Sequence, residues 1–247
     1  MKRILPLMLL FVLASCVQDD SPAIIFDDSQ TLLEDLDGRT FVNHSVIACA
    51  GNDRFDTDIL NVYFFPEQGA SNFKFYETSI PNVDPDDFSN YVQLDVDDIA
   101  FLDGTLRVFN RRFSIEQWVI VTYEVEDRIL ISTPIRTKNV FQPTLWTDEV
   151  MIDQTETGKP VFDWEPESYE NNAIFFEVVT TESNEVLSGT YTNDSHFQFT
   201  NLDNVVLAIT ESIPESLTPG LEYNIIVMDV SLDNWVNTII KRSFIAE

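Results

Sequence analysis

The stretch QWVIVTYEVEDRILIST, residues 117–133, decides the fold class of this chain. Four of its apolar residues stand at alternate positions and therefore share one face of a strand: Val119, Val121, Tyr123 and Val125. The chain turns near residues 127–128, and Ile129 and Ile131 continue the pattern on the way back. Alternation with a period of two is typical of half-buried β-strands, so this stretch predicts a β-hairpin.

The rest of the chain repeats this organisation, with short apolar runs separated by turn residues roughly every 8 to 12 positions, as in β-sandwiches. A helical period is not sustained, and we expect at most one helical turn near residues 32–36. The length of 247 residues suits two domains. We therefore predict an all-β chain with two immunoglobulin-like β-sandwiches in tandem. The expected parts are a sandwich at 38–142, a connector at 143–157 and a second sandwich at 158–247.

The second half contains two motifs that narrow the choice of sandwich. In PVFDWEPES, Pro160 and Trp164 begin a first strand, and in LTPGLEY the pair Pro219 and Gly220 makes a bend before Tyr223. This part resembles a fibronectin type III domain, in which an early tryptophan packs over the core and the L-x-P-G-x-x-Y stretch forms a tyrosine corner. The resemblance implies that Trp164 points inward and that the buried Tyr223 hydroxyl finds a hydrogen-bond partner.

The strand that follows Tyr223 has two apolar faces. Ile225 and Val227 share the face of Tyr223, whereas Ile226 and Met228 lie on the other one. An apolar outer face indicates that something covers it, which is either the other domain or a partner protein.

The N-terminus contains a charged start, an apolar run and a cysteine directly behind that run. The charged residues are Lys2 and Arg3, and Leu13-Ala14-Ser15-Cys16 resembles the lipobox of bacterial lipoproteins, with the pattern [LVI]-[AST]-[GAS]-C. The resemblance implies that residues 1–15 are a signal peptide and that Cys16 is diacylated before it becomes the mature first residue. We therefore expect a membrane partner through a lipid anchor (palmitate or a similar acyl chain) and no membrane span.

The residues after the cysteine, VQDD at 17–20, resemble the acidic export signal of surface lipoproteins in the Bacteroidota. The alternative is an ordinary polar tether. Residues 16–37 are then the lipidated cysteine and its tether, and the expected location is the outer membrane, exposed at the cell surface.

The formal net charge of −28 excludes nucleic acid as a partner, because nucleic acid binding requires basic patches. The acidity favours solubility, and calcium binding is the alternative because loops between strands can supply carboxylate ligands. Six aspartates in two acidic runs are the candidate calcium ligands: Asp84, Asp86, Asp87, Asp95, Asp97 and Asp98. Apart from calcium, no cofactor is expected.

No motif for catalysis is present in the sequence. The two histidines, His44 and His196, do not lie in a nucleophile motif, and seven glycines form no phosphate-binding loop. Cys49 lies between apolar residues and is expected in the core, with a reactive thiol as the alternative. We therefore predict that the chain is not an enzyme.

Trp146 and Trp235 remain as candidates for ligand or partner contact. Exposed rings would form a platform for a sugar, whereas packing would bury them. The sequence therefore predicts a non-catalytic surface lipoprotein that acts as an interaction, adhesion or structural module. The alternative is a glycan-binding accessory lipoprotein of a polysaccharide-uptake system. A protein or a glycan is the expected partner in these two cases.

Overall fold

A hairpin forms where the alternating stretch predicts one. In the computed structural model, which describes residues 30–113, 115–166 and 172–247, Trp118–Val125 pairs in antiparallel register with Arg128–Ser132. The turn between them lies at Glu126 and Asp127, and Glu126 has a φ of 54°. The four alternating residues all enter one core, so the predicted hairpin and the buried face of its first strand are confirmed. Ile129 and Ile131 do not continue that face, because they pack with Ile120 in a separate cluster and Leu130 enters the first core in their place.

The first sandwich contains nine strands of the described chain. They are β1 Thr40–Asn52, β2 Ile59–Phe65, β3 Ser71–Thr78, β4 Tyr91–Leu94, β5 Asp98–Phe101, β6 Leu106–Arg112, β7 Trp118–Val125, β8 Arg128–Ser132 and β9 Ile135–Arg136. The order across the sheet is β4-β3-β7-β8-β1-β2-β6-β5, and β9 pairs with β7.

Strand β1 belongs to both layers of this sandwich. Its first part runs parallel to β8 and its second part pairs antiparallel with β2. The register shifts between Val42 and Val46, and His44 in this segment has a φ of 54°. This irregularity lets one strand pass from one layer to the other, so the layers face each other over a common apolar core.

The second sandwich contains the remaining nine strands of the described chain. They are β10 Leu145–Thr147, β11 Met151–Asp153, β12 Val161–Asp163, β13 Asn172–Thr181, β14 Val186–Thr192, β15 His196–Gln198, β16 Val205–Ala208, β17 Glu222–Ser231 and β18 Val236–Ile245. One layer has the order β10-β18-β17-β13-β14-β16, and the opposing layer is β11-β12-β15.

The connector predicted at 143–157 requires a correction. Strand β10 pairs in parallel with β18, and β11 pairs antiparallel with β12, so much of this segment is part of the second sandwich. Both strands have only three residues, which is too short for an alternating pattern to be recognised in the sequence.

The expected landmarks of the second sandwich are present, and the fold is fibronectin type III-like. Trp164 is buried, and its ring stands edge-on to Phe175 with the ring centres 5.3 Å apart. The Tyr223 hydroxyl accepts a hydrogen bond from the backbone nitrogen of Thr218 at 3.1 Å. Gly220 at the bend has a φ of 83°, which favours glycine. The tyrosine corner is therefore confirmed.

The single described α-helix, α1 at Leu32–Leu36, confirms the expected helical turn. It also corrects the tether predicted to extend to residue 37, because Leu32 and Leu36 are buried against the first sandwich. Thr31 caps the helix by accepting from the Glu34 nitrogen, and the Glu34 side chain accepts from the Thr31 nitrogen in return. Residues 1–29, which include the predicted signal peptide and Cys16, lie outside the described residues.

The two sandwiches stack face to face. The outer side of the β2–β6 layer contributes Tyr63 and Val108, and the outer side of the β13–β17–β18 layer contributes Val178, Ile226 and Met228. These residues form one buried cluster. The apolar outer face around Ile226 and Met228 is thus covered by the other domain, which was one of the two alternatives.

Candidate functional site

A cleft opens at one end of this stacked interface, and we call it the inter-sandwich cleft. Its volume is about 330 Å³. Side chains alternate along a strand, so residues two positions away from the buried interface residues point to the same side and line the walls of the cleft. The first wall is formed by Asn61, Tyr63, Val108 and Asn110, and the second by Ile226, Met228, Ile239 and Lys241.

Trp146 stands at the side of the cleft on edge strand β10 and is half-buried. Its indole nitrogen donates to the carbonyl oxygen of Asn52 at 2.9 Å. The Asn52 side chain in turn accepts from the Thr144 nitrogen at 3.0 Å, and the Thr144 hydroxyl donates to the Val236 carbonyl at 2.8 Å. This chain of bonds between the two sandwiches fixes the position of the Trp146 ring.

The loop between β1 and β2 forms the mouth of the cleft. The Asp53 carboxylate accepts from the backbone nitrogens of Phe55 at 2.9 Å and Asp56 at 3.3 Å, which tightens the turn. This turn holds Phe55 at its tip, where the side chain is 89% exposed. The Arg54 guanidinium lies 5.6 Å from the centre of the Phe55 ring.

The side-chain amides of Asn61 and Asn110 also line the cleft. The Asn110 side-chain nitrogen donates to the Asn61 side-chain oxygen, and the Asn61 nitrogen approaches the Asp53 carboxylate at 3.5 Å. The cleft thus combines aromatic rings, amides, the Asp53 carboxylate and two cationic side chains around an apolar floor. This is the composition of a ligand pocket, in which a few polar groups orient a ligand against apolar walls.

A second cavity of about 240 Å³ lies farther along the same interface. Tyr63 and Met228 line both spaces, and Cys49 faces the second one. Burial raises the pKa of the Cys49 thiol to about 12. At neutral pH the thiol is therefore protonated, so it is a weak nucleophile.

The interface between the sandwiches, outside the lining of the cleft, is held by a backbone hydrogen bond and an ion pair as well as by apolar packing. The Ala50 nitrogen donates to the Asn234 carbonyl at 3.0 Å, and the Lys138 ammonium is paired with Asp233 at 2.8 Å. Gly51 permits the close approach, because a Cβ atom there would lie 2.8 Å from the Thr144 hydroxyl oxygen. The two sandwiches therefore present a preformed cleft.

The predicted contact role of Trp235 requires a correction. Its side chain is 0% exposed and packs in the core of the first sandwich, and its indole nitrogen donates to the Gln142 carbonyl at 2.8 Å. A ring enclosed in this way cannot meet an external ligand. Only Trp146 of the two candidates lines a cleft.

The six candidate calcium ligands are not gathered at one place. Asp84 accepts from the Asp86 nitrogen at 3.0 Å, Asp87 accepts from the Ser89 nitrogen at 3.0 Å, and Asp98 is paired with Arg107. Within residues 30–113, 115–166 and 172–247, no group of three or more histidine, cysteine or acidic side chains could hold a metal ion. Calcium binding stays a prediction of the sequence.

Sequence reasoning missed Arg54, Phe55 and Lys241 as residues of one site. The run DRFDTD at 53–58 stands out for its acidic residues, but the informative feature is the aromatic residue inside that turn. Phe55 stands between aspartates that favour a turn, outside any alternating apolar pattern. An aromatic residue at such a place is expected to be exposed, and this was the available signal for a contact residue. The position of Lys241 opposite this loop depends on the stacking of the sandwiches.

No protein-family model matches the chain, and the search of curated proteins found no significant match. Among solved structures, the chain is similar to a segment of two fibronectin type III domains from chicken tenascin. The sequence identity is 11%, the TM-score is 0.25, and the alignment covers 82% of this chain and 98% of that chain. Among the described residues, no helix has the length and apolar character needed to cross a membrane.

Proposed function

We propose that this chain is a non-catalytic binding protein of the outer membrane, anchored through acylated Cys16 and exposed at the cell surface. The lipobox pattern at residues 13–16, placed directly behind an apolar run, supports the anchor. The acidic residues that follow Cys16 support an outward orientation. The inter-sandwich cleft is its ligand-binding site in this proposal.

The observation that carries the proposal is the fixed position of Trp146 beside a concave, partly polar cleft. Its indole nitrogen is already bonded to Asn52, so the ring is oriented before any ligand arrives. An oriented ring loses little conformational freedom on binding, which favours affinity. The volume of about 330 Å³ lies at the lower end of the range for small-ligand pockets, which is about 300–1,000 Å³.

Of the two partner classes that the sequence indicates, the cleft favours a glycan. Aromatic rings can pack against the apolar face of a sugar, while the exposed amide of Asn110 can bond to a hydroxyl group. A protein partner generally needs a much larger surface, about 800 Å² on each side. The cleft is suited to one or two sugar rings.

A protein partner is the second candidate, and one observation favours it. Strand β16 lies at the edge of its sheet, and it exposes Val206 and Leu207. An exposed sheet edge can pair with a strand of another protein. We therefore include this edge in the test.

The test measures binding of neutral and acidic oligosaccharides to the full acylated chain in detergent, by calorimetry. We expect at least one oligosaccharide to bind, and W146A to lose most of that affinity. W118A is the matched control, because Trp118 is also half-buried and bonded to a backbone carbonyl, that of Pro81 at 3.0 Å. If no oligosaccharide binds, and crosslinking on cells instead traps a protein at β16, the second candidate replaces the first.

A further inference from the structure

Arg54 and Lys241 are the two cationic side chains that line the inter-sandwich cleft, and they differ from most other described cations in their lack of a carboxylate partner. Of the basic residues in the described part, eight are paired with carboxylates at 4.0 Å or less: Arg39, Lys74, Arg107, Arg111, Arg112, Arg136, Lys138 and Lys159. In the same described ranges, Arg54 and Lys241 have no such partner, although both line the cleft. Arg128 and Arg242 are the other two without a carboxylate, and they do not line this cleft.

Partners for these cations are abundant in the chain, which has 42 acidic and 14 basic residues. Asp53 is the acid nearest to Arg54 in sequence, but its oxygens accept from backbone nitrogens of its own turn and face the Asn61 amide. Among the described residues neither charge has a carboxylate partner, and the Arg54 guanidinium lies against the Phe55 ring, 5.6 Å from its centre. The two charges stand on opposite sides, because Arg54 belongs to the first sandwich and Lys241 to the second.

The rest of the cleft suits the ring of a sugar rather than an alkyl chain. The half-buried Trp146 and the exposed Phe55 provide flat apolar surfaces, and Asn110 adds an exposed amide. A planar carboxylate can accept two parallel hydrogen bonds from a guanidinium, as in other arginine–carboxylate pairs. Lys241 can add a second positive charge to the same group.

We propose that the ligand of the inter-sandwich cleft is an acidic saccharide, with a uronic acid carboxylate held between Arg54 and Lys241 and its ring against Trp146. This inference rests on the proposed function and names its ligand class. Because the chain as a whole is strongly negative, long-range attraction does not assist this ligand. Recognition depends on the local pair of cations.

The test compares two forms of one oligosaccharide, trigalacturonic acid and its fully methyl-esterified form, which keeps the shape and removes the charges. The full acylated chain in detergent is titrated with each form by calorimetry. We expect the acid to bind at least about tenfold more tightly, because hydrogen bonds to charged groups are stronger than neutral ones. R54Q and K241Q should each weaken the acid about tenfold and leave the ester unchanged.

R128Q is the matched control, because Arg128 begins β8 in the first sandwich and also has no carboxylate partner among the described residues. It should bind the acid as the unmodified chain does. Thermal melting of each variant checks that folding is preserved. We expect unchanged melting temperatures, because Arg54 and Lys241 are exposed.

The remaining outcomes separate this inference from the proposed function. If the ester or a neutral oligosaccharide binds as tightly as the acid, the cleft binds glycans and the acidic ligand class is wrong. If an Asp- and Glu-rich peptide binds at the cleft and no saccharide does, both are wrong. An equal loss of binding in R128Q also contradicts a role for the two cleft cations.

Discussion

Ala50 and Trp235 form a parallel β-bridge, although Ala50 lies in the first sandwich and Trp235 directly precedes the last strand, β18, of the second. Through this bridge, Trp235 enters the core of the first sandwich while its neighbours belong to the second. The two sandwiches thus share buried surface and are not independent modules on a flexible linker. The cleft beside this contact has walls whose positions depend on both sandwiches.

This sharing predicts that the chain unfolds in one cooperative transition. W235A should lower the free energy of unfolding by about 3–5 kcal/mol, since a large buried aromatic is removed and a cavity remains. W118A should lower the free energy of unfolding by a smaller amount, because Trp118 is only partly buried. Urea denaturation followed by circular dichroism measures both. Two separate transitions in the unmodified chain would show that the sandwiches fold independently.

The tyrosine corner predicts a loss of unfolding free energy that is smaller than that of W235A and depends on one hydroxyl group. Y223F removes the hydroxyl that accepts from the Thr218 nitrogen, and we expect a loss of about 1 kcal/mol, as for a typical net hydrogen bond. Y191F is the control, because the Tyr191 hydroxyl has no hydrogen-bond partner among the described residues. Denaturation midpoints measure the difference. Equal effects of the two substitutions would contradict a stabilising role for the corner.

Some features of the fold and the site were accessible from the sequence because they depend on near neighbours. The hairpin at β7 and β8 follows from alternation, and the corner at Tyr223 follows from a bend at Pro219 and Gly220. Other features depend on distant contacts. The burial of Trp235 in the other sandwich, and the presence of Arg54 and Lys241 in the lining of one cleft, have no local signal.

The lipid anchor predicts that the two cysteines respond differently to substitution. C16S should abolish acylation and release the chain from the membrane fraction, because the thiol is the site of the first lipid in the proposal. C49S is the control, since Cys49 lines the cavity between the sandwiches. Mass spectrometry of the N-terminal peptide and fractionation measure the result. Retention of C16S in the membrane would contradict the anchor.

Glu177 predicts a loss of stability as the pH rises. The side chain is 0% exposed inside the second sandwich, where it accepts from the Thr192 hydroxyl at 2.8 Å. Burial raises the pKa of Glu177 to about 8, and the hydroxyls of Thr192 and Thr190 oppose this shift only in part. At neutral pH the folded chain therefore keeps a proton that the unfolded chain releases.

The sign of the effect follows from this difference in bound protons. The contribution of Glu177 to stability is complete below its unfolded pKa, near 4.5, and decreases until the pH passes its folded pKa of about 8. The largest slope is about 1.4 kcal/mol per pH unit. E177Q should remove this contribution, so the difference in unfolding free energy between it and the unmodified chain should change with pH. E185Q, at an exposed turn, should leave the pH profile unchanged. Parallel profiles for E177Q and the unmodified chain between pH 5 and 8 would show that Glu177 does not titrate in this range.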